Sequence, residues 1–161
     1  MIKKEIIIGI DPGFARTGYG IIEKSGNKLR YIAHGLIETF KEDEFCVRLE
    51  KNNKELDKII KQYKPDCMAI EKLFFSKNTK TGIQVAESRG VLLLTGIQNK
   101  LKIYEFSPID IKLALTGYGR ATKDQIQEMV KIILNMKNKP KQDDAADALA
   151  IAITKANTNI Y

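Results

Sequence analysis

Cysteine is nearly absent from this chain. Cys46 and Cys67 are two residues in 161, too few for a disulfide framework and spaced unlike any zinc pattern, so both read as reduced packing residues. Histidine occurs once, as His34. No segment approaches the ~20 consecutive apolar residues of a membrane span. The apolar run after Met1-Ile2-Lys3-Lys4-Glu5 is too short for a secretory signal with its cleavage site. No internal repeat, low-complexity tract or Ser/Pro-rich linker interrupts the chain. These absences predict one domain over residues 1–161, with no membrane contact and a cytoplasmic location.

What is present describes a soluble protein with a real core: 43% of residues are hydrophobic and 29% charged. The formal charge is +7, a balance that suits a polyanionic partner. The period of the apolar residues predicts an α/β fold. Residues 5–11 read as a buried strand, Thr17–Glu23 and Leu29–Thr39 as two more, joined by turns at Pro12-Gly13 and Gly26-Asn27. Short turns make these three an antiparallel meander. Leu49, Leu56, Ile59, Ile60 and Tyr63 then recur at helical spacing up to Pro65. A strand over 67–74 follows. A helix over 79–100 should present Ile83, Ala86, Gly90, Leu93, Leu94 and Ile97 on one face, and Lys102–Phe106 is the last strand. Two shorter helices begin after Pro108 and Thr122, the second with a Thr122/Gln125 capping box, and a final helix ends the chain. The order gives a five-stranded mixed sheet, three antiparallel strands and then parallel crossovers, flanked by helices.

Four acids stand out against this frame. Asp11 ends the apolar run Ile6-Ile7-Ile8-Gly9-Ile10, and Glu71 ends Cys67-Met68-Ala69-Ile70. Asp144 and Asp147 open the final helix, and a three-residue step leaves them on one face about a turn apart. If the first and fourth strands are neighbours, these carboxylates converge with no His or Cys among them. An oxygen-only set suits Mg²⁺ or Mn²⁺, and two such ions ~3.5–4 Å apart can hydrolyse a phosphodiester. Asp143 points about 100° away from Asp144 and is expected to be the N-cap of the helix rather than a ligand. His34 is assigned to structure.

Three motifs together carry a resemblance. Gly9-Ile10-Asp11-Pro12-Gly13 with Thr17-Gly18-Tyr19-Gly20, then Ala69-Ile70-Glu71-Lys72, then Asp144-Ala145-Ala146-Asp147-Ala148-Leu149-Ala150-Ile151-Ala152 resemble the RuvC family of Holliday-junction resolvases. The likeness covers essentially the whole chain, in order. It implies a ribonuclease-H-like fold and paired, Mg²⁺- or Mn²⁺-dependent nicking of four-way DNA junctions, leaving 5′-phosphate and 3′-hydroxyl ends. It also implies Asp11, Glu71, Asp144 and Asp147 as metal ligands, with two ions per site. A homodimer would match the two-fold symmetry of the junction. A branch-migration complex of a junction-binding protein and a hexameric ATPase motor would be the partner. By the same resemblance, Lys112 and Lys123 stand near the scissile phosphate.

Phe74 and Phe75 alternate across the expected strand, so only one faces the core. By family position Phe74 is the exposed platform that stacks on an unpaired base, with an ordinary core aromatic as the other reading; Phe75 is assigned to the core. Lys72, Lys77, Lys80, Arg89 and Arg120 are candidate phosphate contacts, with solvated surface charge as the alternative. Three competing functions remain: a related ribonuclease or exonuclease, a catalytically silent junction-binding protein, and a nucleotide-binding module of the actin and sugar-kinase fold. The last requires a second domain and a second glycine-rich loop, which this chain lacks. The apolar helix over 79–100 is the expected dimer surface.

Overall fold

Two-residue and four-residue connections leave the first strands no choice but to double back. A computed structural model describes residues 3–74 and 79–158. The strands β1 (Lys4–Asp11), β2 (Arg16–Ser25) and β3 (Lys28–Glu38) form the expected antiparallel meander. Ser25 pairs with Lys28 across the Gly26-Asn27 turn, where Gly26 takes the positive φ of 60° that such a tight hairpin favours. Then come α1 (Phe45–Tyr63), β4 (Cys67–Glu71), α2 (Thr79–Gln98), β5 (Lys102–Phe106), α3 (Pro108–Thr116), α4 (Lys123–Ile133) and α5 (Asp143–Asn157). The sheet order is β3-β2-β1-β4-β5, with β4 parallel to both β1 and β5. The first and fourth strands are therefore neighbours.

Each face of the sheet carries its own core. Ile8, Ile10, Met68 and Ile70 point to one side, where Leu56 and Ile60 of α1 and Leu92 of α2 cover them. Ile7, Cys67 and Ala69 point to the other, under Ile111 of α3, Ile126 and Val130 of α4, and α5. Local chemistry fixes the ends of these helices. Ser107 and Thr122 each cap a helix through a complete capping box, the second with Gln125 as expected. Lys64, at φ 49°, closes α1 in a left-handed turn just before Pro65.

Helix α5 is buried along nearly its whole length because it lies directly on β1 and β2. Glycines make the room. A Cβ at Gly9 would overlap the Ala148 carbonyl and stand 2.7 Å from the Ala152 nitrogen; one at Gly20 would stand 2.6 Å from the Leu149 nitrogen; one at Gly18 would overlap the Asp144 carbonyl. The alanines of α5 supply the matching thin surface.

Two expectations need correction. The fourth strand ends at Glu71 rather than running to residue 74. Its partners end there: the ladder to β1 stops at Ile10–Ile70 and that to β5 at Glu71–Phe106. The second concerns α2, whose predicted apolar face points largely outward, with Ile83, Leu94 and Ile97 each more than half exposed. The buried face holds Ser88, Leu92, Thr95 and Gly96 instead. Its polar groups are satisfied by α1, Asn52 Nδ2 donating to Ser88 Oγ and Asn53 Nδ2 to Thr95 Oγ1, at 2.9 and 2.8 Å. Gly96 lets the helix approach Met68 and Ile103.

The close approach of α5 predicts that Gly20→Ala lowers unfolding free energy by about 1–3 kcal/mol, the range for overpacking a tight core. Urea denaturation should show a lower midpoint with an unchanged m-value.

Candidate functional site

Alternation along the strands decides where the acids point. Ile7 and Gly9 of β1 face α5, whereas Ile8 and Ile10 face α1 and α2, so Asp11 returns to the α5 side. On β4 the same period puts Cys67 and Ala69, and hence Glu71, on that side. The β1–β4 ladder brings Ile10 opposite Ile70, which leaves Asp11 and Glu71 at adjacent strand ends, where neighbouring strands lie ~4.8 Å apart. Helix α5 closes the group from above. The Asp144 backbone rests on Gly18, the cross-strand partner of Asp11, and Asp147 follows one turn on.

The electrostatics show that these carboxylates share one environment. The Asp11 carboxyl is pushed up to about 8, chiefly by burial, with the charges of Asp147, Glu71 and Asp144 adding to it and Lys123 opposing. Burial and then Asp147 also raise Glu71. Asp147 is raised by burial against the lowering effect of Lys123. Two cations sit among the acids: Lys123 Nζ lies 3.4 Å from Asp147 and 3.3 Å from Asp143, and Arg16 Nε lies 3.5 Å from Asp144. Among the described residues no three Asp, Glu, His or Cys groups are drawn into a closed ligand set.

Asp143 is not the N-cap expected of it. It is the first residue of α5, after Gln142 at the cap, and its carboxylate accepts from Gln127 Nε2 at 2.9 Å and faces Lys123. The hydrogen bonds from Gln127 and Lys123 lower its pKa from the usual carboxylate value. Arg16 was not among the sequence candidates; it is the first residue of β2, and its only signal was its closeness in sequence to Asp11.

Beside the acids opens a cleft of about 230 Å³ that brings Glu71 and Asp147 together with Lys112 and Lys123, against Ile111 and Ile126. The other candidates are more scattered. Lys72 and Phe74 are exposed just past the end of β4, Phe74 with two thirds of its surface free. Because that segment is not strand, alternation cannot sort Phe74 from Phe75. Arg120 is exposed between α3 and α4. Arg89 departs from the phosphate contact expected of it: it is largely buried, its Nε donates to the Glu71 carbonyl at 2.9 Å, and its Nη2 pairs with Glu105. Phe75, Lys77 and the side chain of Lys80 lie outside the described residues. His34 stands on β3 beside Tyr31, their ring centroids 5.5 Å apart.

Known proteins are similar to this chain in sequence and fold. The family profile described as "Crossover junction endodeoxyribonuclease RuvC" matches residues 7–155. The chain belongs to the RuvC family. RuvC of Halothermothrix orenii is 52% identical over 153 residues, covering 95% of this chain and 93% of that protein. RuvC of Caldicellulosiruptor saccharolyticus is 54% identical over 148 residues, covering 91% and 89%. Among solved structures, Thermus thermophilus RuvC in complex with a Holliday junction substrate matches with a TM-score of 0.90 at 29% identity, over 94% of this chain and 93% of that one. The yeast mitochondrial Holliday junction resolvase Ydc2, at 14% identity and a TM-score of 0.66, shares the fold. The ribonuclease-H-like expectation for the fold therefore holds.

The raised carboxyl has a consequence for stability. A proton on Asp11 favours the folded chain, so that contribution is complete below about pH 3.8 and is lost as the pH rises through about 8. In excess chelator, Asp11→Asn should melt several degrees above the native sequence at pH 9 and level with it near pH 4, by scanning calorimetry. An equal gap at both pH values would contradict this account of the site.

Proposed function

We propose that Asp11, Glu71, Asp144 and Asp147 hold two divalent ions, Mg²⁺ or Mn²⁺, at which this chain cuts four-way DNA junctions. The activity is that of its family, a crossover junction endodeoxyribonuclease that resolves Holliday junctions. The observation that supports the metal reading is the convergence of four carboxylates, one of them pushed up to about 8 by burial and by the charges of the other three. The donor set fits the ions. All four groups are hard oxygen ligands, while His34 is on β3, Cys46 on α1 and Cys67 at the start of β4. Four carboxylates would balance four positive charges.

When bound, the ions would supply an activated water and stabilise the leaving oxygen, giving 5′-phosphate and 3′-hydroxyl ends. The chain's own groups do the rest. Strand ends hold Asp11 and Glu71 more rigidly than loops would. Lys112 and Lys123 line the cleft beside Glu71 and Asp147, placed to neutralise a phosphate entering it. The exposed Phe74 ring, three residues past Glu71, is available to stack on an unpaired base, worth ~1–3 kcal/mol. Lys72 and Arg120 add surface charge to a chain of net +7, which makes junction binding salt-dependent. Lys77 and Lys80 are assigned to the same role from sequence alone.

The reading treats residues 1–161 as one nuclease domain working in the cytoplasm, where its DNA substrate lies; no described helix is long and apolar enough to cross a membrane. It treats the active unit as a homodimer, because a two-fold junction presents two equivalent strands. The outward Ile83, Leu94 and Ile97 of α2 are the surface assigned to the second copy. Co-operation with a branch-migration complex rests on family resemblance.

Two outcomes are expected. Asp11→Asn should bind a synthetic four-way junction within about threefold of the native affinity, yet cut it more than about 100-fold more slowly in Mg²⁺, since one ion loses a ligand. Paired nicking by the native chain with Mg²⁺ and none in chelator is the companion result; unchanged cutting by Asp11→Asn would overturn the assignment. Second, Leu94→Lys should leave the circular dichroism spectrum intact and weaken dimerisation more than about tenfold in sedimentation equilibrium, by burying an unpaired charge.

A further inference from the structure

Asp11 and Glu71 are neighbours that the sheet does not tie to each other. Asp11 is paired outward to Gly18 of β2, and Glu71 outward to Phe106 of β5. The ladder between their own strands ends one residue earlier, at Ile10–Ile70. Two carboxylates that repel each other therefore stand at the open end of a parallel pair, where a ladder hydrogen bond would otherwise fix the spacing.

Two consecutive residues of α2 bond the main chain on either side of this open end. Ser88 Oγ donates to the Gly13 carbonyl at 2.9 Å, and Arg89 Nε donates to the Glu71 carbonyl at 2.9 Å. Both are anchored from behind. Ser88 is fully buried, and its oxygen accepts from Asn52 Nδ2 of α1 at 2.9 Å, which commits the hydroxyl proton to Gly13. Arg89 is gripped by Glu105 on β5 through its other arm. Gly13 is two residues beyond Asp11, across the buried Pro12 whose ring fixes φ, and Thr17 Oγ1 supports the same carbonyl at 3.1 Å. One rigid helix thus holds the backbone just after Asp11 and the backbone of Glu71 itself.

We propose that Ser88 and Arg89 are a positioning pair that sets the separation of the Asp11 and Glu71 carboxylates. The inference rests on the reading that those carboxylates bind metal. Ser88 and Arg89 bond main-chain carbonyls rather than the carboxylates themselves. They act through two main-chain carbonyls, as outer partners orient ligands in other metal sites, where their removal reduces metal affinity or activity by 10–100-fold. This role also accounts for Arg89 being turned inward on a face where a free arginine would serve DNA.

The test uses the full chain with Ser88→Ala and Arg89→Lys, the latter keeping the charge but losing the second arm. Mn²⁺ binding is followed by electron paramagnetic resonance without DNA, and single-turnover nicking is measured across a Mg²⁺ series. Each variant should raise the Mn²⁺ dissociation constant about tenfold or more. The Mg²⁺ concentration for half-maximal nicking should move with it, while junction affinity in chelator stays within about twofold. Native Mn²⁺ affinity in either folded variant overturns the positioning role. If the native chain itself fails to bind Mn²⁺, the metal reading falls, and the inference with it; Asp11→Asn run alongside separates that failure from a failure of the pair.

Discussion

The contact between α5 and the bare backbone of β1 and β2 is what the rest of this structure depends on. Glycines at 9, 18 and 20 present no Cβ beneath the helix, and Ala145, Ala148 and Ala152 give it a thin face in return. The result is more than a packed core. Because Asp144 rests on Gly18, and Gly18 is the partner of Asp11, the close approach carries the first turn of α5 to the end of β1. Packing and the placement of the acids are here one constraint, since the same close approach that buries α5 brings its first turn to Asp11.

That arrangement concentrates negative charge in a partly dry place. Burial and like charge act in the same direction on Asp11, Glu71 and Asp147, and Lys123 works against them. Arg16 and Lys123 stand where cations are needed, each more than half exposed along its side chain and so free to move. On the proposed reading, a hard divalent cation would offset this charge. The surrounding chain, at +7, provides the complementary attraction for a DNA backbone.

Much of this could be read in the amino-acid order, for identifiable reasons. The strand-terminal acids were legible because continuous apolar runs end on them, and the strand period then fixes their side. The capping box at Thr122 was legible because its chemistry is local. Long-range choices were not. The apolar residues of α2 look like a core face by spacing alone, yet they point outward, because the inner face is built from Ser88, Thr95 and Gly96 and satisfied by asparagines 52 and 53 on another helix. Residues 72–74 resemble strand in composition but have no partner to pair with beyond Glu71 and Phe106. Arg89 has the charge of a DNA contact, and only the position of Glu105 and the Glu71 carbonyl shows it turned inward. Asp143 looked like a cap because Gln142, the true cap, makes no side-chain bond that the sequence could announce.

The central claim is spatial: four carboxylates from three distant segments surround one pair of divalent ions. Anomalous scattering from crystals of this chain grown with Mn²⁺ tests it most directly. The account predicts two peaks ~3.5–4 Å apart, bounded by Asp11, Glu71, Asp144 and Asp147. Mn²⁺ found only elsewhere on the protein, with these four side chains unliganded, would contradict it.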